Sequence, residues 1–311
     1  MNNLLSYIDE KFSNNEFLLK KYQDNSFTLS EKFKNKTCLV LGAGGSIGQE
    51  VCLLLIKLKI KKLIIVDIDE NRLTLVIRRI NQIIDKSIIT QSYLVDCSDK
   101  IFHDKIFKNE ILNLDHVFNF TAIKHVRTER DITSISVMLK TNCLLPYLVA
   151  KKCAKNNIPF FHVSTDKAND PVNLMAATKL IGEKLAFNEF IKNKNTHLYK
   201  SARFPNVLFS NGSLTMSFIE RILNNEIISI PKNIKRYFIS RVQSAMICLL
   251  SFIDNQSNII TLNEKYLKKN SNDKICYSIL KKIKIKPLLF HDISKIDNFR
   301  IEKKKKIKLW P

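Results

Sequence analysis

The chain has 311 residues, 45% of them apolar and 26% charged, and 51 basic against 29 acidic side chains give a formal net charge of +22. That length and apolar content support one large or two smaller globular domains and exclude a disordered or fibrous chain. The basic excess is mostly lysine and no aromatic residues interleave with it, which speaks against a nucleic-acid reader.

Basic runs at 57–62, 281–286 and 303–308 read first as solvated lysines of a lysine-rich chain, with weak attraction of the tail to an anionic membrane surface as the alternative. The seven cysteines (38, 52, 97, 143, 153, 248, 276) contain no C-x-x-C pair, so neither a disulfide frame nor a metal site is expected. Reduced thiols fit a cytoplasmic protein. The N-terminus shows no signal-peptide pattern, and the densest apolar run, 245–253, is far too short to span a membrane.

Residues 1–36 are polar, with weak helical periodicity at 2–22, and read as an appended arm. From Thr37 apolar strands alternate with amphipathic helices. Strands are expected at 37–41, 62–67, 89–95, 116–120, 159–163 and 197–204. Helices are expected at 46–58, 70–84, 134–156 and 173–192. This alternation predicts an α/β fold, a Rossmann-like doubly wound parallel sheet over 37–204 with right-handed crossovers. Past Pro205 the rhythm breaks, and 205–311 is expected to form a smaller substrate-binding lobe with a basic tail.

Gly42-Ala43-Gly44-Gly45-Ser46-Ile47-Gly48 follows the first strand and opens the first helix. Gly42, Gly45 and Gly48 permit a tight turn and close backbone approach to a pyrophosphate, while the helix start at Ser46 and Ile47 offers N–H groups to phosphate oxygens. Asp67 ends the second strand, where its carboxylate accepts bonds from ribose hydroxyls and repels a 2′-phosphate. NAD is therefore favoured over NADP, with Arg72 nearby as the feature that would admit NADP. Asp96, at the end of the third strand, is expected beside the adenine.

Ligands of a doubly wound sheet react at the carboxyl ends of its strands. Three segments converge there: 119–127, 164–167 and 175–179. Ser164-Thr165-Asp166-Lys167 with Lys179 reads as the strand end and helix of a short-chain dehydrogenase site, with Met175 at the position of the proton-carrying tyrosine. A thioether carries no proton, so acid–base work would fall to Asp166 and Lys167, or the site is silent. Lys124 and His125 add cationic groups beyond the fourth strand.

GAGGSIGQE, AIKHVRTERD, STDKANDPVNLMAATK, ARFPNV and KRYF resemble the motifs of nucleotide-sugar 4,6-dehydratases of polysaccharide biosynthesis. These UDP-N-acetylglucosamine 4,6-dehydratase-like enzymes belong to the extended short-chain dehydrogenase family, and the resemblance spans about 36–250. It makes Met175 the mark of a subgroup. It implies oxidation of C4 of a UDP-sugar with NAD or NADP, removal of the C5 proton, loss of the C6 hydroxyl as water, and reduction at C6. By the same resemblance Asp166 is the acid at C6, Lys167 the base at C5, and Thr165 a partner of the C4 hydroxyl. Lys179 and Thr121 then border the nicotinamide end, and Lys124, His125, Asn206 and Arg236 contact substrate. A homo-oligomer is implied too. Phe120, Ala176 and Pro205 depart from smaller residues of the pattern, and a phenyl ring at 120 would crowd the cofactor. A C4 epimerase or oxidoreductase, and a silent NAD(P)-binding scaffold, remain the alternatives.

Overall fold

The structure is a computed structural model that describes residues 2–13, 16–85, 87–125, 129, 131–224, 226, 228–231, 234–282, 287–290 and 296–301. The basic run at 303–308, residues 283–286 of the run before it, and Arg127 lie outside the described residues.

The chain divides into two compact units. The larger holds residues 18–204 and 244–261. Its seven-stranded sheet contains β1 (Thr37–Leu41), β2 (Lys62–Asp67), β3 (Ile89–Leu94), β4 (His116–Asn119), β5 (Phe160–Thr165), β6 (Tyr199–Phe204) and a last strand, Ile259–Thr261. The order is Ile259–Thr261, β6, β5, β4, β1, β2, β3, and every pairing is parallel. This is the Rossmann-like α/β fold that the alternation predicts. The chain order reverses between β4 and β1, and such a switch point opens a crevice at the carboxyl ends of the strands.

β1 is buried at all five positions, as its unbroken apolar run requires of a strand covered on both faces. One face packs Leu39, Val66, Val117 and Phe160 against Val149, Cys153, Ala186 and Phe190 of the helices Leu145–Lys155 and Leu174–Lys192. The other carries an aromatic layer in which the Phe33 ring lies 4.7 Å from His116 and 6.2 Å from Phe118. Phe33 and Leu29 are fully buried on the helix Ser26–Phe33. Residues 18–36 of the expected arm are thus part of the sheet unit.

Some helices of the larger unit start on side-chain caps. Asp69 accepts from the Arg72 amide, Asp131 from Ser134 and Asn173 from Ala176. The helix expected at 134–156 starts at Ile132 and is interrupted by a π-helical turn, Lys140–Leu144. Residues 132–155 are, by length and composition alone, long and apolar enough to cross a membrane, with a mean hydropathy of 1.3 over an 18-residue window, although Lys140, Thr141 and Asn142 interrupt the apolar run. Part of that apolarity serves the core, where Met138, Leu145, Val149 and Cys153 are buried.

The smaller unit holds residues 1–17, 205–243 and 262–311. Its core joins Ile8 and Phe12 to Leu208, Phe218, Ile222, Phe238, Ile275 and Ile279. The short strand Asn206–Val207 pairs parallel with Lys235–Ile239, which pairs antiparallel with Lys268–Ser271.

Candidate functional site: a dinucleotide cradle and a Thr-Asp-Lys strand end

Backbone crowding explains the glycines after β1. Gly42 has φ +71°, and a Cβ there would lie 2.9 Å from the Thr121 nitrogen. A Cβ on Gly48 would lie 2.4 Å from the Gly42 carbonyl oxygen, and one on Gly44 would meet the Arg72 Cβ at 2.6 Å. The helix Ser46–Lys57 begins at Gly45 with no side-chain cap. Its first turn is built to face acceptors from outside the helix.

Asp67 is buried and pins this loop. Its Oδ2 accepts the Gly44 N–H at 2.7 Å and its Oδ1 accepts the Asp69 N–H at 3.0 Å. A carboxylate keeps further lone pairs beyond these two bonds. Arg72, half exposed, pairs with Asp69 at 3.2 Å. Lys124 lies in the exposed loop after β4, and partial desolvation and then the Arg72 charge lower its pKa. Desolvation and then Lys124 lower that of His125. The structure therefore gathers Asp67, Arg72, Lys124 and His125 on the cradle's side of the sheet. Asp96 accepts from the Ser98 amide and hydroxyl at 2.8 and 2.6 Å.

β5 runs two residues further than expected, so Ser164 and Thr165 are its last members. The Thr165 hydroxyl donates to Asp166 Oδ1 at 3.0 Å, and Lys167 Nζ meets the same oxygen at 3.3 Å. The Asp166 and Lys167 side chains are 42% and 37% exposed, open to an incoming ligand. The Ser164 Oγ is buried with no partner among the described residues. Met175 and Lys179 are buried one helical turn apart on Leu174–Lys192. The Lys179 ammonium donates to the Val163 carbonyl at 2.6 Å. Burial pulls its pKa down to about 8, against the pull of Glu183.

Phe120 does not point its ring over the cradle. It stacks on Phe118 and lies tilted against Phe161 in the aromatic layer, with centroids 6.3 and 5.6 Å away. Ala176 is fully buried in the first helical turn, where a methyl group fits. Asn206 and Arg236 belong to the smaller unit, where Asn206 Nδ2 donates to the Tyr237 carbonyl at 3.2 Å and Arg236 is exposed.

Sequence reasoning missed several polar residues around this site. Asn142 sits in the π-helical turn, accepts the Ile123 N–H at 2.9 Å and donates to the Ile123 carbonyl and the Thr178 hydroxyl. A π turn often marks a functional position, but its backbone shift leaves no sequence pattern. Gly182 is its one trace, since a Cβ there would strike the Asn142 carbonyl at 1.9 Å. Glu129 accepts the Met175 N–H at 2.7 Å, an anion at a helix start. Glu183 binds Arg203 through both carboxylate oxygens.

Comparison with known proteins agrees with this geometry. Residues 38–269 match a family described as polysaccharide biosynthesis protein. An uncharacterized membrane protein of Methanocaldococcus jannaschii is 34% identical over 62% of this chain and 56% of its own length. A UDP-N-acetylglucosamine 4,6-dehydratase (inverting) of Campylobacter jejuni is 29% identical over 71% of this chain and 64% of its own. The Bordetella bronchiseptica enzyme WbmF, solved with NAD+ and UDP, shares the fold with TM-score 0.64 at 13% identity, over 80% of this chain and 78% of its own. The chain spans from about a third to just over half of the length of the first curated relatives it matches. With well over half of its residues matched by one family, the chain belongs to the polysaccharide biosynthesis protein family.

Proposed function

We propose that this protein is an NAD(P)-dependent 4,6-dehydratase of a UDP-linked N-acetylhexosamine, with UDP-N-acetylglucosamine the favoured substrate, in surface-glycan synthesis. The observation that carries the reading is the partly exposed Thr165–Asp166–Lys167 chain at the end of β5, with a Met175 that holds no proton on the following helix. The Campylobacter relative's name and the UDP bound to WbmF support the substrate class.

A dinucleotide fits the residues present. The glycine cradle leaves no room for a Cβ at 44 or 48, and Asp67 stands where ribose hydroxyls are read. Gly42, Gly45, Ser46, Ile47, Gly48, Asp67, Asp96, Thr121 and Lys179 would hold it. When bound, NAD(P) supplies reversible oxidation of the sugar carbon.

The chain's own residues do the rest. The Thr165 hydroxyl orients the C4 hydroxyl, the Lys167 amine takes the C5 proton, and the Asp166 carboxyl gives a proton to the departing C6 hydroxyl. When C6 is reduced Lys167 returns a proton to C5, and the proton lost from the C4 hydroxyl passes through Thr165 to Asp166, so one water leaves and neither side chain ends the turnover changed. On the larger unit Lys124 and His125 offer cationic groups to a UDP-sugar; on the smaller unit Asn206 offers an amide and Arg236 a guanidinium, which is suited to a diphosphate.

Val137 and Leu144 on 132–155, with Ile181 and Leu185 on Leu174–Lys192, are exposed apolar side chains of two packed helices, which supports self-association. Seven unpaired, buried thiols support a reducing, cytoplasmic setting. The test is mass spectrometry of a panel of nucleotide sugars incubated with the protein and NAD(P). Loss of one water from a UDP-N-acetylhexosamine supports the reading. Bound cofactor with every sugar unchanged in mass overturns it.

A further inference from the structure

The buried pair Asn119 and His162 takes no part in the chemistry above. Asn119 ends β4 and faces His162 of β5 in register, and both side chains are fully buried. Asn119 Oδ1 accepts the Thr121 N–H at 3.1 Å and the Thr121 hydroxyl at 2.6 Å. An amide nitrogen cannot accept from a backbone N–H, so these bonds fix which end of the Asn119 amide is oxygen. Its Nδ2 then faces His162 Nδ1 at 3.3 Å as a donor. Nδ1 must be the bare acceptor, and the imidazole proton sits on Nε2. His162 Nε2 is buried with no partner among the described residues. Burial, and then the nearby Lys179 cation, hold the imidazole neutral. At the far end of this relay, the Thr121 nitrogen lies 2.9 Å from where a Gly42 Cβ would stand.

We propose that His162 is a positioning residue for the cradle: as the neutral Nε2–H tautomer it holds Asn119 through Nδ1, so that Asn119 Oδ1 fixes the Thr121 amide and hydroxyl against Gly42. The effect on cofactor binding rests on the NAD(P) reading; the tautomer and the Thr121 tether do not. An imidazolium would set an N–H against the Asn119 N–H and break the relay.

Nitrogen-15 NMR of the histidine rings in the full chain tests the tautomer directly. His162 is expected to stay neutral with its proton on Nε2 from about pH 6 to about pH 9. An Nδ1–H tautomer or an imidazolium in that range overturns the proposal. Three variants test the tether. His162→Asn puts an amide oxygen near the former Nδ1, His162→Gln puts one near Nε2, and His162→Leu offers none. Exchange of the Thr121 amide hydrogen should stay near wild type in His162→Asn. It should quicken in the other two, with NAD(P)H affinity about tenfold weaker, the effect of one unpaired buried donor. Thermal melts show that each variant is folded. Equal Thr121 exchange in the Asn and Gln variants sinks the tether. If exchange follows the expected order while wild type binds no NAD(P)H, the positioning stands and the cofactor reading falls.

Discussion

Lys179 Nζ donates to the Val163 carbonyl oxygen at 2.6 Å, tying the helix that carries Met175 to the strand that ends in Thr165. The ammonium is buried and its pKa is drawn down to about 8. Between that pH and the ordinary lysine value the unfolded chain holds a proton that the folded chain has released. Stability therefore rises with pH across that window, by about 3 kcal/mol in all. Lys179→Met should remove this rise in chemical-denaturation curves taken from pH 7 to pH 10. It should also weaken NAD(P)H binding by about 10- to 100-fold, the effect expected if the proposed cofactor contact of Lys179 is a charged hydrogen bond. A variant that binds cofactor normally would remove Lys179 from the cradle.

Asp166 and Lys167 form an exposed pair at 3.3 Å, and such pairs contribute at most about 1 kcal/mol to stability. Lys167→Ala and Asp166→Asn should melt within a few degrees of wild type and bind cofactor unchanged. Turnover should fall by about 100- to 10,000-fold, the range for a lost acid or base. Turnover near wild type in either variant would show that its proton is carried elsewhere.

Much of the sheet unit is legible in the sequence because parallel strands buried on both faces are unbroken apolar runs. Thr37–Leu41 and Lys62–Asp67 fall where those runs predict. The cradle is legible because steric exclusion at Gly42 and Gly48 admits only glycine, and the strand-end site because its motif is contiguous. Other features depend on distant partners. Leu29 and Phe33 sit in a polar stretch, and nothing local says that they cover the sheet. Phe120 follows the strand alternation into an aromatic layer whose other members are far off in sequence. Asn142 acts through a π turn, and His162 through a partner on the next strand.

Arg72 flanks the cradle, with its Cβ against Gly44 and its guanidinium on Asp69. Its proposed role is to offset Asp67 before a 2′-phosphate. Arg72→Gln should lower NADP(H) affinity by about tenfold and leave NAD(H) affinity within about twofold, as loss of one charged hydrogen bond predicts. Titration calorimetry with both cofactors measures the ratio. An unchanged ratio would show that Arg72 takes no part in the selection.

His116 packs against the rings of Phe33 and Phe252, at 4.7 and 5.2 Å, with both nitrogens unpartnered among the described residues. Burial, and then Lys32, lower its pKa to about 3. The unfolded chain thus gains a proton near the ordinary histidine value that the folded chain refuses until about pH 3. Stability falls as pH drops through that window, by about 2 kcal/mol at pH 5. His116→Phe keeps the ring packing and removes the titrating group. Its stability advantage over wild type should grow from pH 7 to pH 5 in denaturation curves. An advantage that is constant with pH would contradict the buried neutral imidazole.

The most direct test of the central claim, that Asp166 and Lys167 carry the protons of a dehydration without a tyrosine, is mass spectrometry in deuterium oxide. UDP-N-acetylglucosamine should lose one water and take up one solvent deuteron at C5, with no net change in NAD(P)H absorbance. A product of unchanged mass, or stoichiometric consumption of cofactor, would contradict the account.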